Sequence, residues 1–198
     1  MLIAIASEND VYDGAVFELL LSRILDHPVT RWKNDMVLRG HTAVVGLAEA
    51  YLRRADAVGI HHALFVVDND GGSRSGPEHE ADHDQQTEAA NDDGCRTCRV
   101  LQAIPSWWKD GKRHYCVAVP VQTLETWLLF LRGDPFPGEP EKLYHRRVLK
   151  DRFFGKPLPP EQERARMAIE QVRKADALER LRHRRSFRLF EEQLSLWR

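Results

Sequence analysis

Apolar residues along the first 130 positions follow two rhythms. Leu2-Ile3-Ala4-Ile5-Ala6, Ala63-Leu64-Phe65-Val66-Val67 and Tyr115-Cys116-Val117-Ala118-Val119 are short continuous runs without polar alternation, the pattern of strands buried on both faces. Between them, Val16, Phe17, Leu20, Leu21, Ile24 and Leu25 recur at three- and four-residue steps and predict a helix from Tyr12 to Leu25, stopped by His27-Pro28. Val44, Val45, Ala48, Tyr51 and Leu52 predict a second helix from His41 to Ala57, and Val29–Trp32 fits a short strand. Pro120 suits the first turn of an apolar helix carrying Leu124, Trp127, Leu128 and Leu131. Strands alternating with helices predict an α/β fold with a mainly parallel sheet and flanking helices.

The rhythm changes after Gly133-Asp134-Pro135-Phe136-Pro137-Gly138. Residues 139–198 lack any convincing strand, and 133–198 read as a basic, helical C-terminal portion, including helices at Pro160–Lys174 and Phe187–Leu196. An α/β domain over residues 1–132 precedes it, with a polar insertion at 71–99 almost free of large apolar side chains.

Composition narrows the class. At 198 residues and 42% hydrophobic, the chain can bury a core, which excludes wholesale disorder. It has no apolar run of about 18 residues, and Met1–Ala6 is too short for a secretory signal, so a cytoplasmic protein without membrane contact is expected. The net charge of -1 hides an asymmetry: residues 1–100 hold 9 Lys and Arg against 17 Asp and Glu, and residues 101–198 hold 20 against 13. That division suggests an acidic site and a basic face.

In a parallel sheet the crevice beyond the carboxyl ends of the strands is the usual ligand site. Glu8 leaves the first strand at that end, Asp68 and Asp70 leave the central strand there, and Glu125 lies in the first turns of the helix after the last strand. Carboxylates gathered without basic partners repel one another unless a divalent cation compensates, and Mg²⁺ or Mn²⁺ is the hard ion that such oxygens favour. Asp-Asn-Asp-Gly after a strand is equally the pattern of a plain turn, and Glu125 could simply favour the helix dipole. Three separated acidic loops meeting at one sheet edge favour the site.

The order strand, Glu8, helix, strand, Asp68-x-Asp70, strand, Glu125-x-Trp127 resembles the TOPRIM fold, a Rossmann-like arrangement shared by topoisomerases, primases and nucleases of the overcoming-lysogenisation-defect type. It is closer to small bacterial TOPRIM-like proteins of phage-defence loci, which also resemble this chain in the Glu-x-Trp helix and in a terminal segment like Arg185-Ser186-Phe187-Arg188-Leu189-Phe190. The resemblance covers most of the chain. It implies that Glu8 is the TOPRIM glutamate and that Asp68 and Asp70 are metal-binding aspartates, with Glu125 an additional ligand, and it implies a partner ATPase. One departure concerns the loop: TOPRIM glutamates are commonly followed by Gly, whereas Asn9-Asp10 follows here.

A second constellation lies in the polar insertion. His79-x3-His83 would put two imidazoles on one helical face, and Cys95-x2-Cys98 has a knuckle spacing; together they offer four ligands for a structural zinc. A zinc staple would order a stretch poor in apolar groups. Solvated histidines and incidental cysteines remain the competing explanation. Cys116, within an apolar run, reads as core packing.

Two basic clusters could follow a nucleic-acid backbone. Trp107-Trp108 with Lys109, Lys112 and Arg113 mixes rings and cations, and Arg180–Arg188, above all Arg184, Arg185 and Arg188, is strongly basic. For each the plain alternative is a packed indole or a solvated charged face. The chain has neither a phosphate loop ending in Gly-Lys-Ser/Thr nor a Gly-x-Ser-x-Gly elbow. The expectation is a metal-dependent nuclease of DNA or RNA, an effector in a bacterial defence system. Two alternatives stand beside it: a noncatalytic, zinc-stabilised adaptor for a partner ATPase, and a small-molecule phosphohydrolase using the same acids. A homo-oligomer stays open.

Overall fold

The computed structural model describes residues 1–68, 96–120, 123–137, 145–176 and 178–197. Four strands form one all-parallel sheet in the order β2-β1-β3-β4: β1 Leu2–Ser7, β2 Thr30–Arg31, β3 His62–Val66 and β4 His114–Ala118. From β1 the chain steps outward to β2, then returns past β1 to add β3 and β4 on the other side. The connection therefore reverses between β1 and β3, whose carboxyl ends open a crevice at this switch point.

Side chains alternate across the sheet as the pleat requires. Ile3, Ile5, Leu64, Val66, Cys116 and Ala118 face one layer, and Ala4, Ala6, Ala63, Phe65, Val67, Val117 and Val119 face the other. The first layer receives α1 (Ala15–Ile24), the second α2 (Gly40–Gly46), α3 (Ala48–Ala57) and α4 (Arg96–Ala103). The single helix expected over His41–Ala57 is broken at Leu47, whose backbone leaves the helical region just after Gly46.

Beyond β4, α5 spans Leu124–Arg132, so Pro120 precedes the helix instead of opening it. Its end is a left-handed Gly133, where the N–H of Asp134 returns to Leu129 O at 3.1 Å. A Cβ at Gly133 would come within 2.7 Å of the tip of the flexible Arg180 side chain, which can move aside, so it is the left-handed φ of 83 that favours glycine here.

The remaining helices are α6 (Arg146–Phe154), α7 (Glu161–Lys174), α8 (Glu179–Arg182) and α9 (Arg185–Leu194), with a 3-10 turn at Ser195–Trp197. They have no core of their own, because Leu149, Phe153, Ala168, Val172, Phe187 and Phe190 join the layer of α1 and α5. Trp127 is the pivot. Its indole N–H donates to Ser186 Oγ at 3.1 Å, and its rings meet Phe17, Phe187 and Phe190 at centroid distances of 5.8, 5.1 and 5.8 Å. Glu-x-Trp thus turns Glu125 and Trp127 to different sides of α5, one toward the crevice and one toward α9.

β4 is an edge strand, and α9 covers it. The Gln193 carboxamide accepts Val117 N–H at 2.8 Å and donates to Val117 O at 3.1 Å, occupying the backbone groups a further strand would use. Among the described residues no helix is long and apolar enough to cross a membrane.

Candidate active site at the switch point

The loop after β1 is built on Asn9. Its side-chain Oδ1 accepts Tyr12 N–H at 3.1 Å, while Asp13 Oδ2 returns to accept Asn9 N–H at 3.0 Å, a reciprocal cap one residue wider than usual. The extra residue is absorbed by a π-helical turn over Asp10–Gly14. Asn9 itself is extended, at φ -143 and ψ 100, so the position needs no glycine, and the departure from Glu-Gly costs no strain. The turn carries Asp13 back into the crevice, where it is buried.

Glu8 and Asp68, sixty positions apart, meet directly: Asp68 N–H donates to Glu8 Oε1 at 3.2 Å. The Asp68 carboxylate then reaches α5. Its Oδ1 accepts Leu124 N–H at 3.1 Å and its Oδ2 accepts the Thr123 hydroxyl at 3.2 Å. Thr123 occupies the N-cap position but does not cap the helix; Asp68 from β3 satisfies that N–H in its place. The Thr123 hydroxyl also contacts Glu125 Oε2. Glu125 is fully buried; its Oε1 meets no donor at full hydrogen-bond geometry among the described residues, and the Tyr12 hydroxyl, likewise unpartnered, lies near enough to interact with its carboxylate.

One hydroxyl proton cannot serve two carboxylates at once, so this geometry calls for an additional positive charge, whether a proton or a cation. The electrostatics agree. Burial, then Glu125, pushes the Asp68 carboxyl up to about 7, with Glu8 adding to the rise and Lys150 and the Thr123 hydroxyl opposing it. Burial, then Asp68, Glu125 and Glu8, holds Asp13 well above the usual carboxylate range, again against Lys150. The Tyr12 phenol rises for the same reasons, burial first and Glu125 next.

Two cations border the acids. Arg96, at the start of α4, lies 3.6 Å from Glu8 and donates to Asp68 O; Lys150, on α6, acts on Asp68 and Asp13.

The structure thus brings Glu8, Asp68 and Glu125 together. Asp70 lies outside the described residues, as do His79, His83 and Cys95 of the zinc constellation; Cys98 is buried within α4. No family model, curated protein or solved structure matches this chain.

Asp13, Lys150, Arg96 and Thr123 were not foreseen from the sequence. Asp13 read as part of a helix start, and Lys150 is one base among many. The anticipated basic groups lie elsewhere. Lys109, Lys112 and Arg113 precede β4 and so sit at the amino end of the sheet, opposite the carboxylates. There Lys109 donates to Leu101 O at 2.7 Å, and Arg113 pairs with Asp56 and Asp110, both at 2.7 Å, beside the Trp107 and Trp108 rings. Arg184 covers the Phe130 ring at 4.5 Å, and Arg188 donates to Arg182 O at 3.0 Å. Arg185 is exposed at the start of α9.

Proposed function

We propose that the protein is a metal-dependent phosphodiesterase acting on DNA or RNA. The observation that carries this reading is the convergence of Glu8, Asp13, Asp68 and Glu125 at the switch point, with one buried Glu125 oxygen unpartnered among the described residues. Among the described residues no three such side chains already stand in a ligand arrangement, yet the donor set, all carboxylate oxygen, fits a hard divalent ion. Glu8, Asp68 and Glu125, with Asp13 beside them, would hold Mg²⁺ or Mn²⁺, and Asp70 joins them through the TOPRIM resemblance. Bound there, the ion would supply charge for a phosphoryl oxygen and lower the pKa of a coordinated water.

The protein's own groups do the rest. Carboxylates alone repel a phosphodiester, so Lys150 and Arg96 supply the positive charge that lets the phosphate approach. Asp13 fixes the loop carrying Glu8 through Asn9 N–H, and Thr123 and Leu124 N–H orient Asp68.

The resemblance to TOPRIM-like proteins of phage-defence loci supports reading such a nuclease as an effector beside a partner ATPase; a structural zinc is suggested separately, by the spacing of His79, His83, Cys95 and Cys98. Incubating the purified chain with plasmid, single-stranded DNA and tRNA in Mg²⁺ or Mn²⁺ tests the activity. Cleavage that disappears in Glu8→Gln and Asp68→Asn supports the nuclease. A chain inert on every substrate, alone and with the partner, leaves the noncatalytic adaptor as the reading.

A further inference from the structure

The groups around the carboxylates bear on the size of the substrate as well as its charge. On the layer of α1, helix α6 lies over the site: at its C-terminal end Phe154 meets the Tyr12 ring at 5.9 Å, and one turn earlier Lys150 acts on Asp13 and Asp68. Residues four apart share a helical row, so Arg146 continues the row Phe154, Lys150 by one more turn, about 6 Å farther along the axis, and it is exposed. On the other layer, Arg39 is bridged backbone to backbone to Asn9, the residue after Glu8, and Gly40 N–H donates to Glu8 O at 3.1 Å. Arg39 is exposed and leads into α2, which packs on the opposite face of the sheet from α6.

Exposed arginines thus stand on both faces of the sheet next to the elements that carry the acids, Arg39 beside the residue after Glu8 and Arg146 one turn beyond Lys150. A lone phosphate ester needs only the central pair, Lys150 and Arg96. Charges set farther out on both sides match a chain whose phosphates continue past the scissile linkage in both directions. We infer, on the proposed reading of the site, that its substrate is a polynucleotide strand crossing the carboxyl edge of the sheet, with Arg39 and Arg146 contacting phosphates on either side of the bond that is cut. The strand does not engage the Lys109–Arg113 cluster, which lies at the opposite sheet edge.

The test compares a small diester, bis(p-nitrophenyl) phosphate, with a short oligonucleotide, both in Mn²⁺, for the full chain, Arg39→Glu, Arg146→Glu and the double variant. Expected is a fall in kcat/KM on the oligonucleotide at least about tenfold larger than on the diester, with the slope of log affinity against log salt reduced by about 0.7–0.9 per contact removed. Equal falls on both substrates overturn the track, as does an oligonucleotide loss of the same size in Lys112→Glu. A wild-type chain that hydrolyses neither substrate overturns the reading of the site itself. Diester turnover in the variants reports that they are folded.

Discussion

Glu8 accepts the backbone N–H of Asp68 at 3.2 Å, joining the ends of two adjacent parallel strands across the point where the chain reverses direction. The bond fixes the spacing of the two carboxylates that the proposed metal site would use together. Glu8→Gln retains an acceptor for that N–H, and Asp68→Asn retains one for Leu124 N–H, so both variants are expected to fold. Each should lose Mn²⁺-dependent phosphodiester cleavage by at least about 100-fold, because neutralising a ligand removes several kcal/mol of charge stabilisation. Steady-state rates beside circular dichroism spectra check this.

Glu125 buries a carboxylate with one oxygen unpartnered among the described residues, an arrangement that costs the metal-free fold and that an ion, on the proposed reading, would offset. Glu125→Gln is expected to stabilise the metal-free protein at about pH 8 by ~1–3 kcal/mol, while cutting activity sharply. Urea unfolding in a chelator, run beside the activity assay, measures both. A variant destabilised under these conditions contradicts the view that the site stores unfavourable charge.

The pH dependence of stability carries a sign. The Asp68 carboxyl, normally near 3.8, is raised to about 7, so the folded protein binds this proton more tightly than the unfolded chain does. Its contribution is full below about pH 4 and is lost as the pH rises through about 7. Asp13 shifts the same way. His62 acts oppositely: burial, then His114, lowers its pKa, so its contribution is present above about 6.5 and lost as the pH falls. The difference between wild type and Asp68→Asn isolates the cluster. Thermal scans of metal-free protein should show wild type losing ground to the variant between about pH 5 and about pH 8, with Mn²⁺ closing the gap.

How much of this was legible in the sequence follows from what each signal encodes. Unbroken apolar runs marked β1, β3 and β4 because strands buried on both sides tolerate no polar alternation, and acids at their carboxyl ends pointed to Glu8 and Asp68 through topology alone. Asp13 was hidden because an acid at a helix start has a routine role; only the widened cap on Asn9, which requires the π-turn, turns it into the crevice. Lys150 and Arg96 were hidden for a different reason. A charge run does not encode which end of the sheet it will reach, and the more conspicuous cluster, Lys109 to Arg113, lies at the amino end. Pro120 suggested a helix start four residues early, because the helix waits for Asp68 to cap Leu124.

Gln193 closes the open edge of β4 through both backbone groups of Val117. Gln193→Leu leaves those groups without partners and should cost about 1–3 kcal/mol, with phosphodiester cleavage retained because the site lies at the ends of other elements. Chemical denaturation and hydrogen exchange at the Val117 amide report the loss. An unchanged exchange rate would show that the helix covers the edge without this side chain.

Anomalous diffraction at the manganese edge, from crystals of the full chain grown with Mn²⁺, addresses the metal most directly. The expected result is a peak within coordinating distance of the Glu8 and Asp68 carboxylates, missing from crystals of Asp68→Asn. Manganese found only elsewhere, or retained at full height in Asp68→Asn, contradicts a divalent ion held at the switch point.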